Sequence, residues 1–307
     1  MKKIVVAPDS FKGSLTSAEV ADAVERGIKD VFPQCNVVKA GVADGGEGTV
    51  EAIVKAVGGD MYAASVTDPL GRPVKAAYGI VRSGGVKTAV MEMSAASGLP
   101  LLLPDELNPW ITSTYGTGEM ISDALNRGCR KFLVGIGGSA TNDAGTGMLS
   151  ALGVRFLDSS GQRLKGCGRD LESIARIDMS SLMPAARESE FIVACDVNTL
   201  FCGPDGAARV FAPQKGADPQ TAEALDRGMR SFAQVIAGQF QTDIVPLSGA
   251  GAAGGLGGAF KAFLNARLTA GIEMVLDAIA FDSLLEGADL VITGEGRIDA
   301  QTAAGKT

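Results

Sequence analysis

Three times in this chain a short apolar run ends in a loop of glycines, hydroxyls and acids, and this junction constrains the fold more than any other feature. The first loop is Asp44-Gly45-Gly46-Glu47-Gly48-Thr49, after Val37-Val38-Lys39-Ala40-Gly41-Val42. The second is Gly137-Gly138-Ser139-Ala140-Thr141-Asn142-Asp143, after Lys131-Phe132-Leu133-Val134-Gly135-Ile136. The third is Thr293-Gly294-Glu295-Gly296-Arg297-Ile298-Asp299, after Asp289-Leu290-Val291-Ile292. A strand, then glycines, then a helix start turns backbone N–H groups outward, and the helix dipole favours an anion there. The second loop leads into residues 143–153, which can wind as a helix. Three such loops point to an enzyme that handles phosphate rather than to a binding module.

The ends of the chain share one texture and the middle has another. Ile4-Val5-Val6-Ala7 reads as a buried strand. Thr16-Ser17-Ala18-Glu19 is a capping box opening a helix, with Val20, Ala23, Val24, Ile28 and Val31 on one face. The run 37–42 is then a second strand, parallel to the first through a right-handed crossover. A helix over 47–57 follows and stops at Gly58-Gly59. Beyond Met61, the runs 76–81 and 87–93 alternate around Ser83-Gly84-Gly85, which predicts an antiparallel hairpin. Parallel-strand texture returns at Asp289. The expected architecture is α/β with two domains. Residues 1–62 plus 286–307 form a flavodoxin-like or Rossmann-like parallel-sheet domain, and residues 63–285 form a larger mixed α/β domain inserted into it.

Composition removes several classes of function. The 307-residue chain has a net charge of −7 and no long basic cluster, so nucleic acid is not an expected partner. It contains no histidine, which excludes Ser-His-Asp and Cys-His catalysis and any His-ligated metal. A general base must therefore be a carboxylate, a lysine or a tyrosine. The five cysteines form no C-x-x-C pair and read as reduced thiols of a cytoplasmic protein. The apolar part of the start is too short for a signal peptide, and no run reaches membrane-spanning length.

Several glycine patterns compete. Gly249-Ala250-Gly251-Ala252-Ala253-Gly254 fits G-x-G-x-x-G, the fingerprint of a nicotinamide-dependent reductase, but a lone match in so glycine-rich a chain is weak. Ala300-Gln301-Thr302-Ala303-Ala304-Gly305-Lys306-Thr307 is a loosened Walker A whose first glycine is alanine. A non-catalytic sugar-acid sensor would leave the acidic loops without a task. Asp9, Asp44, Asp143, Asp196, Glu295 and Asp299 all follow apolar runs at expected strand ends, and Glu47 stands at a helix start. So many carboxylates beside a phosphate require a cation. Magnesium answers this, because it binds through one or two carboxylates together with substrate phosphates. Lys12 and Arg297 would offset charge on the transferred group.

These motifs in this order resemble the type 1 glycerate kinases. The resemblance is carried by Pro8-Asp9-Ser10-Phe11-Lys12-Gly13-Ser14-Leu15, by the three loops, by Ala194-Cys195-Asp196-Val197, by Phe211-Ala212-Pro213-Gln214-Lys215-Gly216-Ala217 and by Gly251-Ala252-Ala253-Gly254-Gly255. It runs from the first strand to the last residue. It implies phosphorylation of D-glycerate by ATP and Mg2+, at the 2-hydroxyl, in a cleft between two α/β domains, with the 3-hydroxyl or a related hydroxy acid as the alternative. Phosphoryl-transfer chemistry in such a cleft puts Asp9, Ser10, Lys12 and Arg297 at the substrate and, with no histidine in the chain, makes Asp196 the first choice of general base and Asp44 the second. Gly137, Gly138, Ser139, Thr141, Asn142 and Gly254 would hold the nucleotide, and Asp143, Glu47 or Glu295 the metal. A homodimer is the candidate assembly. Members of the family continue past Lys306, and their further strands would complete the first sheet. Ala304 stands where relatives often carry histidine, and Asn198-Thr199-Leu200 departs from the usual loop.

Overall fold

The computed structural model describes residues 1–296 except Lys12, Gly13, Asp44, Glu47 and Gly84. It is a mixed α/β fold. Strands β1 (Lys3–Pro8), β2 (Asn36–Lys39) and β11 (Leu290–Gly294) form a parallel sheet in the order β11-β1-β2. A second sheet runs β10-β9-β6-β5-β4-β3, from β3 (Gly59–Thr67), β4 (Pro73–Ser83), β5 (Val86–Glu92), β6 (Lys131–Gly135), β9 (Glu190–Ala194) and β10 (Arg267–Thr269). Its β3, β4 and β5 are antiparallel, whereas β5, β6, β9 and β10 run parallel. A short antiparallel pair, β7 (Arg155–Leu157) and β8 (Arg176–Asp178), lies apart.

The apolar runs are continuous because their strands are covered on both faces, as parallel sheets require. In β6, Phe132 and Val134 enter a core lying on one side of the large sheet, while Leu133 enters another on the opposite side. In β9, Phe191 and Val193 join Phe132, whereas Ile192 and Ala194 join Leu133. Phe132 and Phe191 stack at 4.7 Å between ring centroids. The small sheet behaves alike: Ile4 and Val6 face Ala21 and Ile28 of the helix Ser17–Val31, and Val5 and Ala7 face the other way.

Those other faces meet. Val5 and Ala7 from β1, Val50, Ile53 and Val54 from the helix Thr49–Val57, Val90, Leu133 and Ile192 from the large sheet, and Met274 and Val275 from the helix Gly271–Ala278 share one core. The two sheets are thus joined through a common layer of helices. The helix Thr49–Val57, expected to accompany the first sheet, also packs against β4 and β5 of the second. The expected boundary at residue 62 falls inside β3, which pairs with β4 along all of Gly59–Thr67.

Candidate active site

The parallel strands of both sheets deliver their carboxyl ends to one region. Glu92, Gly135 and Ala194 stand in register at the ends of β5, β6 and β9, with Thr269 of β10 beside Ala194. From the small sheet, Asp9 follows β1, and its N–H donates to Gly294 O at the end of β11. The segment after β2 runs between the two sets of ends: Val42 N donates to Pro8 O, and Val50 N donates to Glu92 Oε1 at 3.2 Å. Gly45 makes this passage possible. Its φ is +82°, and a Cβ there would stand 2.7 Å from Ala194 Cβ and 2.9 Å from Gly271 Cα. Gly137 faces Gly46 across the same seam. A cavity of about 860 Å³ opens beside it, lined among others by Asp9, Ser10, Lys39, Glu51, Lys55 and Glu92.

Asp196, two residues beyond β9, is exposed, and its Oδ1 accepts from Gly271 N at 2.8 Å. The backbone of Gly271 therefore fixes the direction of one carboxylate oxygen. Glu295 is half-buried directly after Gly294, the residue whose carbonyl accepts from Asp9. Asp9, Ser10, Asp196, Glu295, Gly137 and Gly138 thus border the converging ends. Lys12, Asp44, Glu47 and Arg297 lie outside the described residues, as does the Walker-like tail.

Four expectations are corrected. Asp143 does not face the cleft. It is fully buried, and its carboxylate accepts from Thr114 N (2.7 Å), Thr114 Oγ1 (2.8 Å), Gly145 N (3.1 Å) and Gly147 N (3.2 Å). Burial pushes its pKa above the usual carboxylate range, and the hydrogen bonds pull it back. Donors on both oxygens suit the ionised form. The helix after this loop, Thr146–Ala151, does attract an anion as the dipole argument requires, but the anion is the chain's own. Asp143 staples this helix start to that of Tyr115–Asn126, whose N-cap is Thr114.

Thr141 and Asn142 are likewise fully buried. Asn142 Nδ2 points to Met229 Sδ at 3.3 Å. Thr141 Oγ1 and Asn142 Oδ1 find no hydrogen-bond partner among the described residues. Gly254 supports the back of the loop rather than facing a ligand. Its φ is +68°, and a Cβ would meet Thr141 O at 2.2 Å. Its carbonyl accepts from Ala144 N at 2.9 Å. No described strand leads into residues 249–254, so the dinucleotide pattern lacks the strand–turn–helix context it needs.

Two residues emerge that the sequence did not single out. Glu92 was hidden because β5 begins as a hairpin arm yet continues the parallel set on its other edge. Lys215 is 1% exposed, and its ammonium donates to Ser139 Oγ at 2.8 Å and Thr141 O at 2.6 Å. Desolvation lowers its pKa to about 7, against the raising influence of Asp143.

The site's acids suit a hard cation held partly by a substrate. Among the described residues no three of His, Cys, Asp or Glu converge as a metal cage of their own. Magnesium needs only one or two carboxylates when phosphates and water complete its shell. Gly137 and Gly138 are exposed, leaving backbone rather than side chain at the turn after β6. Two sets of parallel strands opening on one acid- and glycine-bordered cleft define an α/β enzyme acting on a small molecule.

The chain belongs to the glycerate kinase family, whose pattern matches residues 4–307, and so to the kinases. It is 50% identical over 305 residues to the glycerate kinase of Bacillus subtilis strain 168, covering 99% of this chain and 79% of that one. It is 47% identical over 304 residues to the glycerate 2-kinase of Escherichia coli K12, with the same coverage of 99% and 79%. A crystal structure from Salmonella typhimurium LT2, provisionally described as glycerate kinase 2, superposes with a TM-score of 0.94 at 48% identity, covering 98% of this chain and 80% of that one. Among the described residues no helix is long and apolar enough to cross a membrane.

Proposed function

We propose that this chain transfers the γ-phosphoryl group of ATP to the 2-hydroxyl of D-glycerate, giving 2-phosphoglycerate, at the seam where the two sets of carboxyl strand ends meet. The observation that carries the reading is this convergence, which brings Asp9, Glu92, Asp196 and the exposed Gly137-Gly138 turn around the segment after β2. The 2-position is supported by the name of the Escherichia coli relative. The cleft separates a smaller unit built from both chain ends from a larger inserted one.

Phosphoryl transfer asks a protein mainly for positioning and charge stabilisation. Asp196 takes the proton from the attacking hydroxyl, with Asp44 the second candidate. Arg297 or Lys12 holds the glycerate carboxylate, and Asp9 and Ser10 border its pocket. The backbone at Gly137, Gly138 and Ser139 holds the nucleotide phosphates. With Asp143 turned inward, Glu295 and Glu47 are the acids left to hold magnesium, directly or through water. When bound, that ion neutralises charge on the phosphates.

The purified protein is given ATP, Mg2+ and D-glycerate, and the product is identified by phosphorus NMR while ADP is followed. The expected outcome is ADP with 2-phosphoglycerate. A 3-phosphoglycerate product overturns the regiochemistry, and absence of ADP overturns the reaction.

A further inference from the structure

Beneath the exposed turn after β6 lies a buried cation that the scheme above leaves idle. Lys215 closes the short helical turn Pro213–Lys215, far along the chain from the loop it touches. One of its hydrogen bonds goes to a side chain, Ser139 Oγ, and the other to the backbone, Thr141 O. The same loop is anchored from its other side: Ala140 N donates to Ser97 O, and Leu99 N donates to Gly138 O. Ser139 is itself only 6% exposed, so the loop seals Lys215 from the cleft. Moving an ammonium out of water costs several kcal/mol, and an apolar side chain of similar length would fill the space without that cost. Space-filling alone therefore does not account for a lysine here. What an apolar side chain cannot do is hold Ser139 Oγ and Thr141 O at once.

We propose that Lys215 is a positioning residue of the transfer reaction, fixing the loop after β6 so that Gly137 and Gly138 stand at the cleft opposite Gly46. The inference rests on the reading that these two glycines hold the nucleotide phosphates. Lys215 touches no reacting atom; it acts through Ser139 and Thr141. Its loss should therefore register in the binding of one substrate and not the other.

The test compares Lys215→Met, Ser139→Ala, their double variant and Gly137→Leu in steady-state assays, with thermal unfolding alongside. Lys215→Met is expected to raise the KM for ATP at least about tenfold and leave that for glycerate within about twofold. Its unfolding temperature should change little, because relief of the buried ammonium offsets the loss of a donor to Ser139 Oγ and Thr141 O. Ser139→Ala keeps the lysine and one bond, so its rise should be smaller, and the double variant should be no worse than Lys215→Met. An unchanged KM for ATP in Lys215→Met overturns the proposal. So does an equal loss for both substrates with a lower unfolding temperature, the mark of general support. Should Lys215→Met not fold, an unchanged KM for ATP in Ser139→Ala overturns it instead. Gly137→Leu places a side chain into the seam and separates the two readings. If it raises the KM for ATP while Lys215→Met does not, the positioning role fails and the glycine reading stands. If neither moves it, both fall.

Discussion

Gly254→Ala tests whether the second glycine-rich segment packs the fold or faces a nucleotide. At φ +68° the new residue would sit in the left-handed region. That costs roughly 1–2 kcal/mol for a non-glycine residue. Its methyl would also stand 2.2 Å from Thr141 O and 2.6 Å from Asn142 Cα, both backbone atoms of a buried loop. Neither can give way as the end of a flexible side chain could, so overpacking adds about 1–3 kcal/mol. The sum, about 2–5 kcal/mol, is a large part of the ~5–15 kcal/mol that holds a typical protein folded. Urea unfolding followed by circular dichroism should show the midpoint fall with the slope unchanged. Stability within about 0.5 kcal/mol of the parent, combined with weaker nucleotide binding, would refute the packing argument and return Gly254 to the cleft.

Asp143→Asn leaves at least one buried N–H donor, that of Gly145, facing an amide NH2 instead of a carboxylate oxygen, and should cost about 1–3 kcal/mol in thermal or urea unfolding; a neutral result would mean the carboxylate is not needed there. Asp196→Asn should lower kcat about a hundredfold or more without lowering the unfolding temperature, since the side chain is exposed; an unchanged kcat moves the base role to Asp44. Lys215 gives a pH signature. Its folded pKa of about 7 lies below the 10.5 of an ordinary lysine, so between these limits the unfolded chain holds a proton that the folded one does not. The stability of the parent relative to Lys215→Met should therefore rise with pH across that window, by up to about 1.4 kcal/mol per unit, and be flat below it. Asp143 is the charge acting on the ammonium from the loop side, and it limits the effect by favouring the charged form. A flat difference across the window would show that the lysine is not desolvated.

What could be read in advance was local or periodic. The capping box at Thr16 and Glu19 lies within four consecutive residues, and both of its hydrogen bonds form. The hairpin of β4 and β5 follows from alternation, and β11 returns beside β1 as its apolar texture implied. The direction of Asp143 could not be read the same way. Its partner Thr114 is 29 residues earlier, and nothing in Thr141-Asn142-Asp143 itself says which face the acid will turn to. Lys215 reaches partners 74 and 76 residues away, so its burial is a tertiary event without a sequence period. Residues 249–254 show a different limit. Glycines spaced for close backbone approach look the same whether the approaching group is a pyrophosphate or, as here, the carbonyl of Thr141.

The helix Thr49–Val57 has a mechanical consequence for the cleft. Ile53 is fully buried in the core shared by the two sheets, and Val50 N is bonded to Glu92 at the cleft's edge. The cleft wall and the interlayer packing are therefore one object. Closing on a substrate cannot swing two halves about a bare linker; it must slide packed side chains over one another, a shear of small steps. Substitutions at Ile53 or Val54, far from any phosphate, would then change the width of the gap that glycerate enters.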